Sequence, residues 1–216
     1  MKLRSLSTCL IFACLLVAAC FSQTQAQQHG EHAETPSSNT SVTVDELPVP
    51  AGWNKFAPAG NAFSVLLPSK PEESVARTPV SAGITLTTHA YTVTTDDGVY
   101  LVAVMSDLPL VAEKMTDAYK QSFYDGMWKG MAEGIREELE KNGLVIKLET
   151  GAQRSVVVGG LQGREQDFTV GSLGGRTQMA LTGQRAYLTM AFWTNEEKTA
   201  VERAAFFNSF QIGTRR

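Results

Sequence analysis

The sequence predicts an α+β domain in which a mostly antiparallel sheet of about seven strands carries one long central helix and a C-terminal helix. Three observations point there. Short runs rich in β-branched and aromatic residues recur between Gly, Pro and Asp turn signals. One long stretch near the middle repeats its apolar residues every four positions, and a second, shorter helical pattern closes the chain. With 216 residues, 43% hydrophobic and 19% charged, the chain can bury a single core and is too apolar for a disordered polymer.

The elements follow in order. Residues 63–67 form a compact apolar run stopped by Pro68, with Pro71 behind it. Residues 84–94 are rich in Thr, Tyr and Val, and Asp96-Asp97-Gly98 reads as a hairpin turn into 99–106. Over 112–141, Met115, Tyr119, Phe123, Met127, Met131, Ile135 and Leu139 make a ridge that creeps round the helix by ~40° per step. Gly126, Gly130 and Gly134 form a second ladder, and each glycine inside a helix costs about 1 kcal/mol relative to alanine. Close packing on the sheet must compensate, or the helix breaks near Asp125-Gly126. Lys129, Glu133 and Arg136 in the same segment argue against a membrane helix interface.

Further short strands are expected at 144–150 and 155–158, broken by Gly151 and by Gly159-Gly160. Residues 162–170, 177–182 and 185–194 read as a meander with Gly174-Gly175 and Gly183-Gln184 at its turns. In the last strand Ala186, Leu188, Met190 and Phe192 alternate with Tyr187, Thr189 and Trp193, so both faces are expected to be covered. The final helix, 196–210, has Thr194-Asn195 as cap candidates and a stripe of Ala200, Val201, Ala204 and Phe207. Phe63, Val65 and Leu67 are expected to be buried against Phe123 and Met127 across sheet and helix.

Ahead of the domain, Lys2 and Arg4 precede an apolar run at 9–19, the pattern of a secretory signal and too short for the ~20 residues of a bilayer span. Two exits from it are open. Thr24-Gln25-Ala26 suits an ordinary signal peptidase cutting before Gln27, whereas Val17-Ala18-Ala19-Cys20 resembles a lipobox that implies acylation of Cys20. The organisation is therefore a signal peptide at 1–26, a flexible polar linker at 27–50 and one globular domain at 51–213. His29 and His32 stand among Glu31 and Glu34 in the linker, which a short polar tether explains without a metal. All three cysteines, Cys9, Cys14 and Cys20, fall in or beside the signal, so disulfides, thiolate metal sites and cysteine nucleophiles are not expected in the domain.

Charge and motifs narrow the function classes. The net charge is −3, and taking Lys2 and Arg4 from the 19 basic residues leaves 17 against 22 acidic ones, so no basic field exists for nucleic acid or an anionic membrane face. The folded region has one histidine, His89, in the Thr-rich strand, and the nearest acidic residues in sequence, Asp96 and Asp97, lie at the hairpin tip; a catalytic triad is not expected. No phosphate-cradling GxxxxGK[ST] occurs. Gly163-Arg164-Glu165 pairs two charges, but neighbours in a strand face opposite ways, so Arg164 is expected to pair a carboxylate such as Asp107 or to cap a helix. No catalytic, cofactor-binding or metal-ligating residue is expected, and the chain is not expected to be an enzyme.

Phe63-Ser64-Val65-Leu66-Leu67-Pro68-Ser69-Lys70-Pro71 after Trp53, then Gly160-Leu161-Gln162-Gly163-Arg164-Glu165, Tyr187-Leu188 and the closing Phe207-Asn208-Ser209-Phe210, resemble a family of uncharacterised bacterial secreted or lipoprotein domains. That family is similar in turn to the PsbP-like fold, named for the extrinsic photosystem II protein, and the resemblance spans about 53–212. It implies a module that binds or stabilises other proteins. The expected function is thus an extracytoplasmic, non-enzymatic accessory or protein-binding module whose partner is an envelope protein, with no nucleic acid and with membrane contact only through a lipid on Cys20. The alternative is a small-ligand or lipid carrier in which Trp53, Trp128 or Trp193 lines a pocket between helix and sheet.

Overall fold

A computed structural model describes residues 49–213 apart from 61, 82 and 83. The signal peptide, Cys20 with its two cleavage readings, and the linker up to residue 48 lie outside the described residues. The elements are β1 (Asn54–Phe56), β2 (Phe63–Leu67), β3 (Glu72–Ser81), β4 (Ile84–Thr94), β5 (Gly98–Ser106), a 3-10 turn (Ala112–Lys114), α1 (Asp117–Lys141), β6 (Leu148–Thr150), β7 (Arg154–Val158), β8 (Leu161–Val170), β9 (Leu173–Thr182), β10 (Arg185–Trp193), α2 (Ala200–Ser209) and β11 (Gln211–Ile212). Eight strands make one antiparallel sheet in the order β3-β4-β5-β10-β9-β8-β6, with β7 continuing the outer edge of β8 beyond β6. A second sheet has the order β1-β2-β11, and a bridge from Gly159 to Gln211 ties the two together. The expected α+β class with an antiparallel sheet and two helices is the class observed.

The main sheet has two covered faces because its central strands alternate apolar residues outward on both sides. On one face α1 packs Met127, Met131 and Ile135 against Leu101, Phe168, Met179, Leu188, Met190 and Phe192. On the other, α2 and the small sheet pack Phe63, Val65, Leu67, Phe206 and Phe210 against Tyr91, Tyr100, Val102 and Tyr187. Phe63 and Phe123 are both buried, yet in different clusters on opposite faces, which corrects the expectation that they meet. The reason is that β2 pairs with β1 and β11, and its Leu66 N–H donates to Ser209 Oγ of α2 at 2.8 Å.

Local chemistry moves several boundaries. The long helix starts later than 112 because Thr116 caps it, its Oγ1 accepting from the Tyr119 N–H at 3.2 Å, and the 3-10 turn before it is separate. The helix runs unbroken through Gly126, while Gly130 and Gly134 are buried, so close packing rather than a break accommodates that ladder. Residues 144–147 are not strand, and the last helix begins at Ala200, with Ala205, Phe206 and Phe207 buried and Val201 exposed. Gly174-Gly175 lies within β9; the turn is at Gly171, whose φ of 62° is the left-handed value glycine adopts freely. The ten-residue strand β3 has no counterpart in the sequence reading, since Pro71 stands just before it and Pro79 inside it; an outermost strand tolerates the missing N–H group.

Candidate binding cleft

The turn at Gly171 sets the register of β8 against β9, and that register builds the site. Asp167 falls opposite Arg176 and Glu165 opposite Gln178, while β7 brings Arg154 opposite Glu165. All five side chains project on the α2 face, beyond the part of the sheet that the helix covers. Arg154 Nε donates to Glu165 Oε1 at 2.8 Å and its Nη2 donates to Asp167 Oδ2 at 2.7 Å. Arg176 Nε donates to Asp167 Oδ1 at 2.6 Å, and Gln178 Nε2 to Glu165 Oε2 at 2.6 Å. Glu165 is the anchor of the network, with its side chain 8% exposed and its two oxygens taken up by Arg154 and Gln178. Burial alone would raise the Asp167 carboxyl, but hydrogen bonds from Arg176 and Arg154 outweigh it and hold Asp167 below its ordinary value. The hydrogen bonds that Arg154 donates, to Asp167 foremost and then to Glu165, raise its own pKa above the ordinary value.

Beside the network, Gly174 and Gly175 remove two side chains from β9. A β-carbon at Gly174 would strike the Trp193 indole on the α2 face, and one at Gly175 would strike the Phe168 ring on the α1 face. Each ring therefore lies directly on bare backbone. The Arg203 guanidinium lies over the Trp193 ring, 4.0 Å from its centroid, and its Nη2 donates to the Glu196 carbonyl at 2.7 Å. Burial lowers Arg203 from its ordinary value. Thr150, Asp167, Thr169, Arg176, Trp193 and Glu196 line an open cleft of about 370 Å³. Its geometry presents fixed hydrogen-bonding and charged groups on a rigid strand floor.

Of the tryptophans, Trp193 reaches this cleft, on the α2 face rather than under the long helix. Trp128 packs on Phe168 at 5.2 Å beneath α1, and Trp53 sits edge-on to Tyr100 at 5.2 Å. Arg164 and Glu165 do face opposite sides of the sheet, as strand geometry requires. Arg164 pairs neither Asp107 nor a helix end: its Nε donates to Gln121 Oε1 at 2.9 Å and its Nη1 to Ser155 Oγ at 2.8 Å, over the Tyr124 ring. His89 finds a carboxylate after all, with Nδ1 3.2 Å from Glu73 Oε1, which also accepts from the Tyr91 hydroxyl. Burial foremost, then the Glu73 charge, pushes the Tyr91 phenol up to about 12. Arg154, Asp167 and Arg176 escaped the sequence reading, although opposite charges spaced symmetrically about Gly171-Ser172 would have disclosed Asp167 and Arg176, and those about Gly159-Gly160 would have disclosed Arg154 opposite Glu165.

Among the described residues no group of three or more His, Cys, Asp or Glu is placed to hold a metal ion, and no helix is long and apolar enough to cross a membrane. No family model matches the chain, and no curated protein matches it. Among solved structures it is similar to the cyanobacterial PsbP (CyanoP) of Synechocystis sp. PCC 6803, with 11% identity and a TM-score of 0.47 over 82% of this chain and 98% of that one. It is also similar to a Pseudomonas aeruginosa protein of unknown function, with 10% identity and a TM-score of 0.27 over 71% of this chain and 91% of that one.

Proposed function

We propose that this protein is a non-enzymatic accessory module that works outside the cytoplasm, where it binds a protein of the cell envelope through the Trp193 cleft. The observation that carries the reading is the locked network of Arg154, Glu165, Asp167 and Arg176. Side chains locked to one another by short charge-assisted hydrogen bonds on neighbouring strands are good fixed recognition groups. The signal-like first 26 residues support the location, and the resemblance of 53–212 to secreted and lipid-anchored domains supports the class. In a pull-down from envelope fractions the full chain retains a specific partner, and Thr169→Arg, which fills the cleft from an exposed position, does not. Equal retention by both would remove the cleft from the account.

A second reading rests on Trp193 itself: an indole wall beside a cleft of this size suits a small ligand. A carrier shifts its tryptophan emission with a lipid or metabolite when no protein partner is present. The location is tested separately by fractionating the wild type and Cys20→Ser. Cleavage before Gln27 leaves both in the soluble extracytoplasmic fraction, whereas detergent-dependent wild type beside unprocessed mutant identifies a lipid anchor.

A further inference from the structure

Strand β3 is the outermost strand of the main sheet, so its outer row of N–H and C=O groups has no neighbour among the described strands. Such an edge is a template for another strand unless something blunts it. Here the blunting is partial. Pro71 stands just before the strand and Pro79 near its end, where the pairing with β4 also shifts register, and the seven residues between them, 72–78, pair regularly with β4. Val75 is the centre of those seven residues.

The side chains on that segment are self-complementary. Glu73, Val75 and Arg77 lie opposite Tyr91, His89 and Thr87 of β4 and so share one face. All three are exposed, Val75 to 52%. Arg77 makes no ion pair or side-chain hydrogen bond among the described residues.

We propose that β3 is a homodimerisation edge, through which two copies of this chain join their sheets antiparallel about a two-fold axis at Val75. In that register Val75 packs on Val75 of the second copy, and Glu73 of each copy faces Arg77 of the other. On the opposite face Glu72 meets Thr78 and Ser74 meets Ala76, all small or polar. Pro71 falls opposite Pro79, so both ends of the pairing stop at residues that cannot donate. A two-fold axis at Glu73 or Arg77 instead sets like charges against each other, which disfavours those registers. A slip of one residue puts the two sets of side chains on opposite faces. The resulting interface is isologous and closed, which limits association to a dimer.

Sedimentation velocity on the purified full chain over a concentration series tests this. The wild type shows a reversible monomer–dimer equilibrium. Arg77→Glu and Glu73→Arg each weaken it at least ~tenfold, since each places two like-charge pairs across the axis. The double variant Glu73→Arg/Arg77→Glu restores association to within ~threefold of wild type, because the exchanged charges again face one another. Glu73 also contacts His89 and Tyr91, so its single variant is judged only if its far-UV spectrum and melting match wild type; otherwise Val75→Lys, on the axis, takes its place and abolishes the dimer. A wild type that stays monomeric at every concentration overturns the proposal, as does an Arg77→Glu protein that dimerises as well as wild type or a double variant no tighter than its parents.

Discussion

The two faces of the main sheet are built from the same strands and end in different chemistry. On one face a helix of 25 residues, ~37 Å long at 1.5 Å per residue, lies over the strands and closes a largely apolar layer of Phe, Leu and Met. On the other, the ten residues of α2 span only ~15 Å, and with the small sheet they cover the aromatic half of the face. Where no helix reaches, β7, β8 and β9 cover themselves with cross-strand ion pairs. On this face the ion-paired charges of β7, β8 and β9 begin where helix packing stops, beside the cleft.

Truncation has its largest effect in the two apolar layers. Phe123→Ala on the α1 face and Phe63→Ala on the α2 face should each lower stability by about 3 to 5 kcal/mol in a denaturant titration. Because the residues belong to separate clusters, the losses should add to within ~0.5 kcal/mol in the double variant. A coupling well above that would mean that the sheet transmits strain and that the faces are one core.

Gly174→Ala comes next, at ~1 to 3 kcal/mol, because the indole of Trp193 must leave the strand floor to admit a methyl group. Its tryptophan emission should shift to the red as the stack under Arg203 opens. Gly126→Ala goes the other way: open space surrounds that position in α1, so the substitution should raise stability by ~0.5 to 1 kcal/mol. The smallest effect is in acid. A carboxyl whose folded-state pKa is depressed contributes stability that is present above its unfolded value of about 3.9 and is lost as pH falls through the folded value. Asp167→Asn should flatten that part of the acid limb while leaving the slope near neutrality unchanged, as read by thermal melts across pH.

Much of this was legible in local spacing. Asp96-Asp97-Gly98 turns the β4–β5 hairpin, Gly183-Gln184 turns β9 into β10, and the four-residue ridge forms α1. The site was not legible, for a definite reason. Reading Gly174-Gly175 as the turn hid the register that sets Asp167 against Arg176, whereas these glycines sit in β9 to let Trp193 and Phe168 lie on its backbone. Two glycines in a strand and two in a turn have the same local signature; a ring from a neighbouring strand distinguishes them. Phe63 likewise carries no local mark of the face it joins, because β2 is placed by β11, with Phe63 opposite Ile212 at the far end of the chain.

The division of labour between the faces is tested most directly by partner retention in two variants below their melting temperatures. The account predicts that Phe123→Ala melts early yet still captures the envelope partner, while Thr169→Arg melts with wild type and captures nothing. Capture by Thr169→Arg at wild-type levels would contradict it.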